Sequence, residues 1–175
     1  MQSSASFFIK NRVALTIVLM IFSLLWKLDV SAQQAPPRPI SVYFNPSQGL
    51  RFGTFFQGTS GGSVIIAPDG SRTVTGGVIE MTTGSAYGAA NFEVHANPGT
   101  LISILSVPDI ILTGSNGGTM TLHIGSSLPV SPFITTASPP AYTSVNVGGT
   151  LTVGSPVANP AGVYSGSFLI TFMQE

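Results

Sequence analysis

The sequence predicts an all-β fold, an antiparallel immunoglobulin-like β-sandwich of about ten short strands, and three observations carry that expectation. Short runs rich in β-branched and aromatic residues recur along the chain, separated by clusters of Gly, Pro, Asn and Asp. Within the runs apolar residues alternate with polar ones, the period of two of a half-buried strand. After the N-terminal segment, no stretch of helical period is long enough to supply the crossovers of a parallel sheet. A barrel is the lesser alternative.

The helix expected at the N-terminus belongs to targeting rather than to the fold. Residues 1–32 read as a signal peptide: Lys10 and Arg12 form a basic region, Val13 to Trp26 is an apolar run, and Val30-Ser31-Ala32 ends on a small residue. Cleavage is expected between Ala32 and Gln33, which makes the product secreted, surface-exposed or periplasmic. The apolar run is shorter than the ~20 residues of a transmembrane helix. An uncleaved anchor flanked by Lys27 and Asp29 is the alternative. Residues 33–39, with Pro36, Pro37 and Pro39, form an extended leader, and residues 40–175 form one domain.

After the signal, Arg38, Arg51 and Arg72 stand against Asp69, Glu80, Glu93, Asp109 and Glu175, a net charge of −2 with no Lys. Nucleic acid is excluded as a partner, since phosphate neutralisation needs clustered cations. Missing too is the Lys that commonly guards sheet edges. The chain has no Cys, which excludes a disulfide framework, thiolate metal sites, lipid-modified Cys and a Cys nucleophile.

The first strand places Ile40, Val42 and Phe44 on one face. Leu50 to Phe56 and Ser63 to Ala67 follow. Pro68-Asp69-Gly70 is a turn, with Pro presetting φ and Gly accepting positive φ, and joins the third strand to Arg72–Thr75 as a hairpin. Val78 to Thr82 and Ala89 to His95 come next, the latter with Phe92 and Val94 opposite Glu93 and His95. Asn97-Pro98-Gly99 turns into Leu101 to Val107. Ile110 to Thr113, the Asn116-Gly117-Gly118 signal and a strand carrying Met120, Leu122 and Ile124 form another hairpin. Pro129, Pro132, Pro139 and Pro140 mark the least regular stretch. Ala141 to Val147 and Thr150 to Val153 restore alternation before the Pro160-Ala161-Gly162 turn. The closing strand runs from Tyr164, with Gly166, Phe168, Ile170 and Phe172 on one face. Tyr164, Phe168, Ile170 and Phe172 are the residues expected to pack it or to serve assembly.

No residue set points to catalysis, a cofactor or a metal, and the protein is read as a non-enzyme. Gly58-Thr59-Ser60-Gly61-Gly62 matches a nucleophile pattern, but a strand follows where a helix is needed, and both His95 and His123 come after Ser60. It is read as a flexible turn. Glu93 and His95 share a strand face and His123 lies on another, without a second ligand motif. Asp69 has a turn role, and no spacing pairs it with Glu80 as an acid and base. The Gly-rich pieces lack the helix and Lys of a phosphate cradle. Phe55, Phe56, Tyr87 and Tyr142 are a minor candidate for a carbohydrate-binding face.

Leu50-Arg-Phe-Gly-Thr54, Ile66 to Gly77, Ala89-Ala-Asn-Phe-Glu-Val94, Gly118-Thr-Met-Thr121, Val147 to Gly154 and Ala161 to Phe172 together resemble the bacterial secreted family called domain of unknown function 4402. The resemblance implies an exported β-sandwich similar to fimbrial subunits and pilins, with no catalytic residues. Unlike many chaperone-usher pilins, the chain lacks a disulfide, and its leader is short and Pro-rich rather than a long donor strand. Ile40, Val42 and Phe44 then read as the first strand of its own sandwich or as a short donor segment. The expected function is a structural or adhesive fimbria-like subunit. It would self-assemble or meet a periplasmic chaperone by strand addition, touching membrane only through the signal segment. The alternative is a monomeric extracytoplasmic module presenting loops to a glycan or protein ligand.

Overall fold

The computed structural model describes residues 38–175. The signal segment, the Ala32–Gln33 cut and most of the leader lie outside the described residues. Thirteen strands follow: β1 (Ser41–Phe44), β2 (Arg51–Phe52), β3 (Phe55–Ile66), β4 (Arg72–Glu80), β5 (Tyr87–Gly88), β6 (Ala90–His95), β7 (Leu101–Ile104), β8 (Ile110–Gly114), β9 (Thr119–Leu128), β10 (Phe133–Ile134), β11 (Thr143–Val153), β12 (Tyr164–Ser165) and β13 (Phe172–Gln174). All strand pairs are antiparallel.

The large sheet runs β1-β6-β11-β9-β8-β12, with β3 also on β11 and β4 on β3. β11 organises it. Along one edge Thr143–Val147 pairs with β6 and Gly149–Val153 with β3, end to end, while β9 occupies the other edge. Gly148 sits at the junction because a Cβ there would collide with the carbonyl of Ile66. A second layer consists of the sheet β10-β7-β13 and the ribbon β2-β5.

Alternation places the core between these layers. Val145 and Val147 of β11 and Ala90, Phe92 and Val94 of β6 meet Ile102 of β7 and Phe133 of β10 in one cluster. Val64, Val78, Leu112, Met120, Leu122, Leu151 and Val153 form the other, against Phe52 of the ribbon. The sandwich therefore comes from strands whose period-two apolar faces are buried on one side only.

Two buried polar residues fasten the ends. The Arg72 side chain, 2 % exposed, donates to the carbonyls of Phe52, Thr54 and Met81 at 3.3, 3.2 and 2.8 Å, and its guanidinium lies 4.3 Å from the centre of the Tyr87 ring. It thereby ties the β2-β5 ribbon to β4, with Glu80 3.4 Å away. Asn159 accepts from the Gly154 amide and donates to the Thr119 carbonyl, joining the ends of β9 and β11 to the loop before β12. Position 72 shares its strand face with Val74, so alternation alone marks Arg72 as an inward residue; nothing local distinguishes Asn159 from other loop polar residues.

The structure changes several expected elements. The two strands read at 50–56 and 63–67 are replaced by the two-residue β2 and a continuous β3, and Arg72–Thr75 and Val78–Thr82 are one strand, β4. The Gly58–Gly62 segment is thus no turn. It is the irregular middle of β3, where the register with β4 shifts between Gln57 and Gly62. Glycines face glycines there: a Cβ on Gly58 would lie 2.5 Å from the Gly77 carbonyl oxygen, and Gly61 and Gly76 have φ of +66° and +67°. Backbones that close admit only glycine, and the result is a bulge. In the same way β11 runs through Gly148-Gly149, uniting two expected strands. The Asp69 hairpin and the Asn116-Gly117-Gly118 hairpin form where their turn residues place them, with Gly70 at φ +85° and Gly117 and Gly118 at +86° and +75°.

Candidate functional site: the closing segment and the open strand edges

The stretch from Tyr164 to Gln174 does not remain in one sheet. β12 pairs with the edge of β8, Tyr164 opposite Gly114, whereas β13 pairs with β7, Phe172 opposite Ile104. Residues 166–171 cross between the layers. This corrects the single closing strand read from the alternation. Gly166 permits the crossing, because a Cβ would stand 2.6 Å from a Leu112 methyl. The side-chain alternation survives: Tyr164 and Phe168 pack on the cluster around Leu122, and Phe168, Ile170 and Phe172 on the cluster around Ile102. Leu169 between them is 81 % exposed. The Tyr164 hydroxyl donates to the Pro160 carbonyl four residues upstream at 2.8 Å, which satisfies its polar end.

Beside this segment, between it and the β2-β5 ribbon, lies a groove of about 750 Å³ with Phe52, Phe55, Leu112, Met120, Leu151 and Phe168 on its walls. On the opposite side of the molecule's β11 axis, β1 pairs only with β6 and β13 only with β7 among the described residues. The Phe92 ring lies 5.3 Å from that of Phe44 on β1 and 5.5 Å from that of Phe172 on β13. Phe92 thus joins β1 and β13, the edge strands of the two sheets, into one apolar rim. Neither strand carries a charge, and Val42, Phe44 and Met173 are 36, 46 and 43 % exposed. Ile40 turns into the core, and β1 is the first strand of its own sandwich.

The remaining residues singled out in the sequence are scattered. Ser60 is exposed in the β3 bulge. His95 on β6 lies 4.0 Å from Glu93 and against the rings of Tyr43 and Tyr142, while His123 on β9 bonds Asp109 at 2.7 Å in the open. Their places along β11, near Thr143 and opposite Thr150, set the two histidines roughly 25 Å apart along the strands. Among the described residues no three His, Asp or Glu come together as a metal site. Asp69 accepts from the Ser71 hydroxyl at 2.6 Å and the Ser71 amide at 2.9 Å, which hold its carboxyl below the ordinary carboxylate range. Phe55, Phe56, Tyr87 and Tyr142 share no face: Phe55 joins the core, Phe56 is exposed opposite Ile79 on β4, Tyr87 lies under Arg72, and Tyr142 stands at the start of β11.

Fold and edges together define a two-layer antiparallel β protein with an apolar, uncharged rim. The chain belongs to the family described as domain of unknown function DUF4402, whose model matches residues 42–173. No curated protein and no solved structure matches it.

Proposed function

We propose that this protein is an exported, non-enzymatic structural or adhesive subunit of a bacterial envelope or surface, fimbria- or pilus-like, that joins its partners by β-strand addition. The observation that carries this reading is the rim formed by β1 and β13. A strand added to β1 gains main-chain hydrogen bonds and covers the exposed flanks of Val42 and Phe44, with no Lys or other edge charge to oppose it. Either a second copy or a periplasmic chaperone meets those requirements. The groove beside Tyr164 and Phe168 supports the same reading, since it offers an apolar seat next to a segment that already changes sheets. Export rests on the basic region, apolar run and small-residue end of residues 1–32.

The test is an edge charge. Val42 is not one of the buried residues of either core cluster, and Val42→Lys should disperse assemblies of the purified protein while a cooperative thermal transition is retained. Assemblies that survive Val42→Lys unchanged would remove the β1 edge from the account. A wild-type protein that never associates would favour the monomeric binding module instead.

A further inference from the structure

We infer that the outer face of β6 and β11 is a binding site for a neutral saccharide. Because β6 and β3 share one edge of β11 end to end, the sheet has a seam at Ala90 and Ile66. A cleft of about 520 Å³ lies beside it, walled by the 45–51 loop and the 68–70 turn, within the size range of small-ligand sites. Its floor consists of two rows of side chains. Asn91 and Glu93 project from β6 opposite Asn146 and Ser144 of β11, and Tyr142 continues the second row. From Tyr142 to Asn146 the row spans about 13 Å at strand rise, room for two pyranose rings.

The chemistry of the rows is that of sugar recognition. The Asn91 amide nitrogen donates to Ser144 Oγ and Asn146 Oδ1, each at 2.6 Å. These bonds couple the three side chains and leave the Asn91 carbonyl oxygen, the Asn146 amide nitrogen and the Ser144 hydroxyl proton available to a ligand. Alternating fixed acceptors and donors suit vicinal hydroxyls, each of which donates and accepts. The exposed Tyr142 ring, braced by His95 at 5.4 Å, offers the flat apolar surface on which the C–H face of a pyranose lies. Asp69, Glu93 and Arg51 line the same cleft, two carboxylates against one guanidinium, which disfavours a polyanion. The site is independent of strand addition at β1.

Titrating the purified, isotopically labelled protein with cellotetraose, mannotetraose, chitotetraose and maltotetraose, each to about 5 mM, tests the assignment by NMR. At least one should shift the side-chain amide signals of Asn91 and Asn146. Tyr142→Ala and Asn91→Ala should each weaken that binding by about tenfold or more, with a cooperative thermal transition retained, since both positions lie on the outer face. Val42→Lys should leave it unaltered. The site is overturned if no tetrasaccharide shifts those signals, if binding persists undiminished in Tyr142→Ala, or if a tetra-alanine peptide shifts them and no sugar does.

Discussion

At position 72 a guanidinium lies almost wholly inside the protein, and its three carbonyl acceptors come from Phe52 and Thr54 around the β2–β3 junction and from Met81 just past β4. Arg72→Ala removes the shared donor from all three carbonyls, of which that of Thr54 keeps another, the Met81 amide, and the expected loss is about 3 kcal/mol in a denaturant titration. Arg72→Lys should recover only part, since an ammonium cannot reach three acceptors in the fork geometry. A loss within about 0.5 kcal/mol for Arg72→Ala would show that the ribbon holds without it. Asp69 gives a pH signature. Its folded pKa is depressed, first by the Ser71 hydroxyl and then by the Ser71 amide. Its contribution to the hairpin is therefore fully present above the unfolded carboxylate pKa and disappears as pH falls through the lower folded value. Ser71→Ala should move the Asp69 titration upward, followed by carboxyl carbon shifts; an unmoved titration would contradict the assignment. The Asp69 role was legible because turn chemistry is local. Arg72 was half legible, through its strand parity with Val74, but its acceptors lie up to twenty residues away in sequence.

Among the elements, the closing segment ties both layers together, so its two faces should respond differently to truncation of single side chains. Phe168→Ala removes a ring shared by both core clusters and should cost about 2–3 kcal/mol, whereas Leu169→Ala, at an exposed site, should stay within about 0.5 kcal/mol. Equal losses would mean that the crossing does not have the described register. Truncation after Gly166 removes β13 and most of the crossing, and should abolish soluble accumulation; normal accumulation would contradict the role given to the segment. Alternation revealed which of these side chains face inward, because the period of two is a property of the strand itself. It did not reveal that the ladder partner changes from β8 to β7, since pairing is set by distant residues. The glycine pairs misled for a related reason. Gly58–Gly62 and Gly76-Gly77 each carry the composition of a turn, and only their lying opposite one another makes them a bulge in two continuous strands.

For the whole molecule, the all-β class was legible from spacing and alternation. The seam and the rim were not, because both arise from how β11 is shared among neighbours. The outer cleft was missed for the same reason: Asn91, Ser144 and Asn146 are unremarkable polar residues until the pairing of β6 with β11 sets them side by side. The rim is the feature on which the proposed function turns, joining two free edges, an uncharged pair of strands and half-exposed Val42 and Phe44. Sedimentation velocity of the purified protein over a concentration series tests that claim most directly. The account predicts a mass that rises with concentration for the wild-type chain and stays at that of the monomer for Val42→Lys. A wild-type protein that sediments as a monomer at every concentration, with or without an added periplasmic extract, would contradict it.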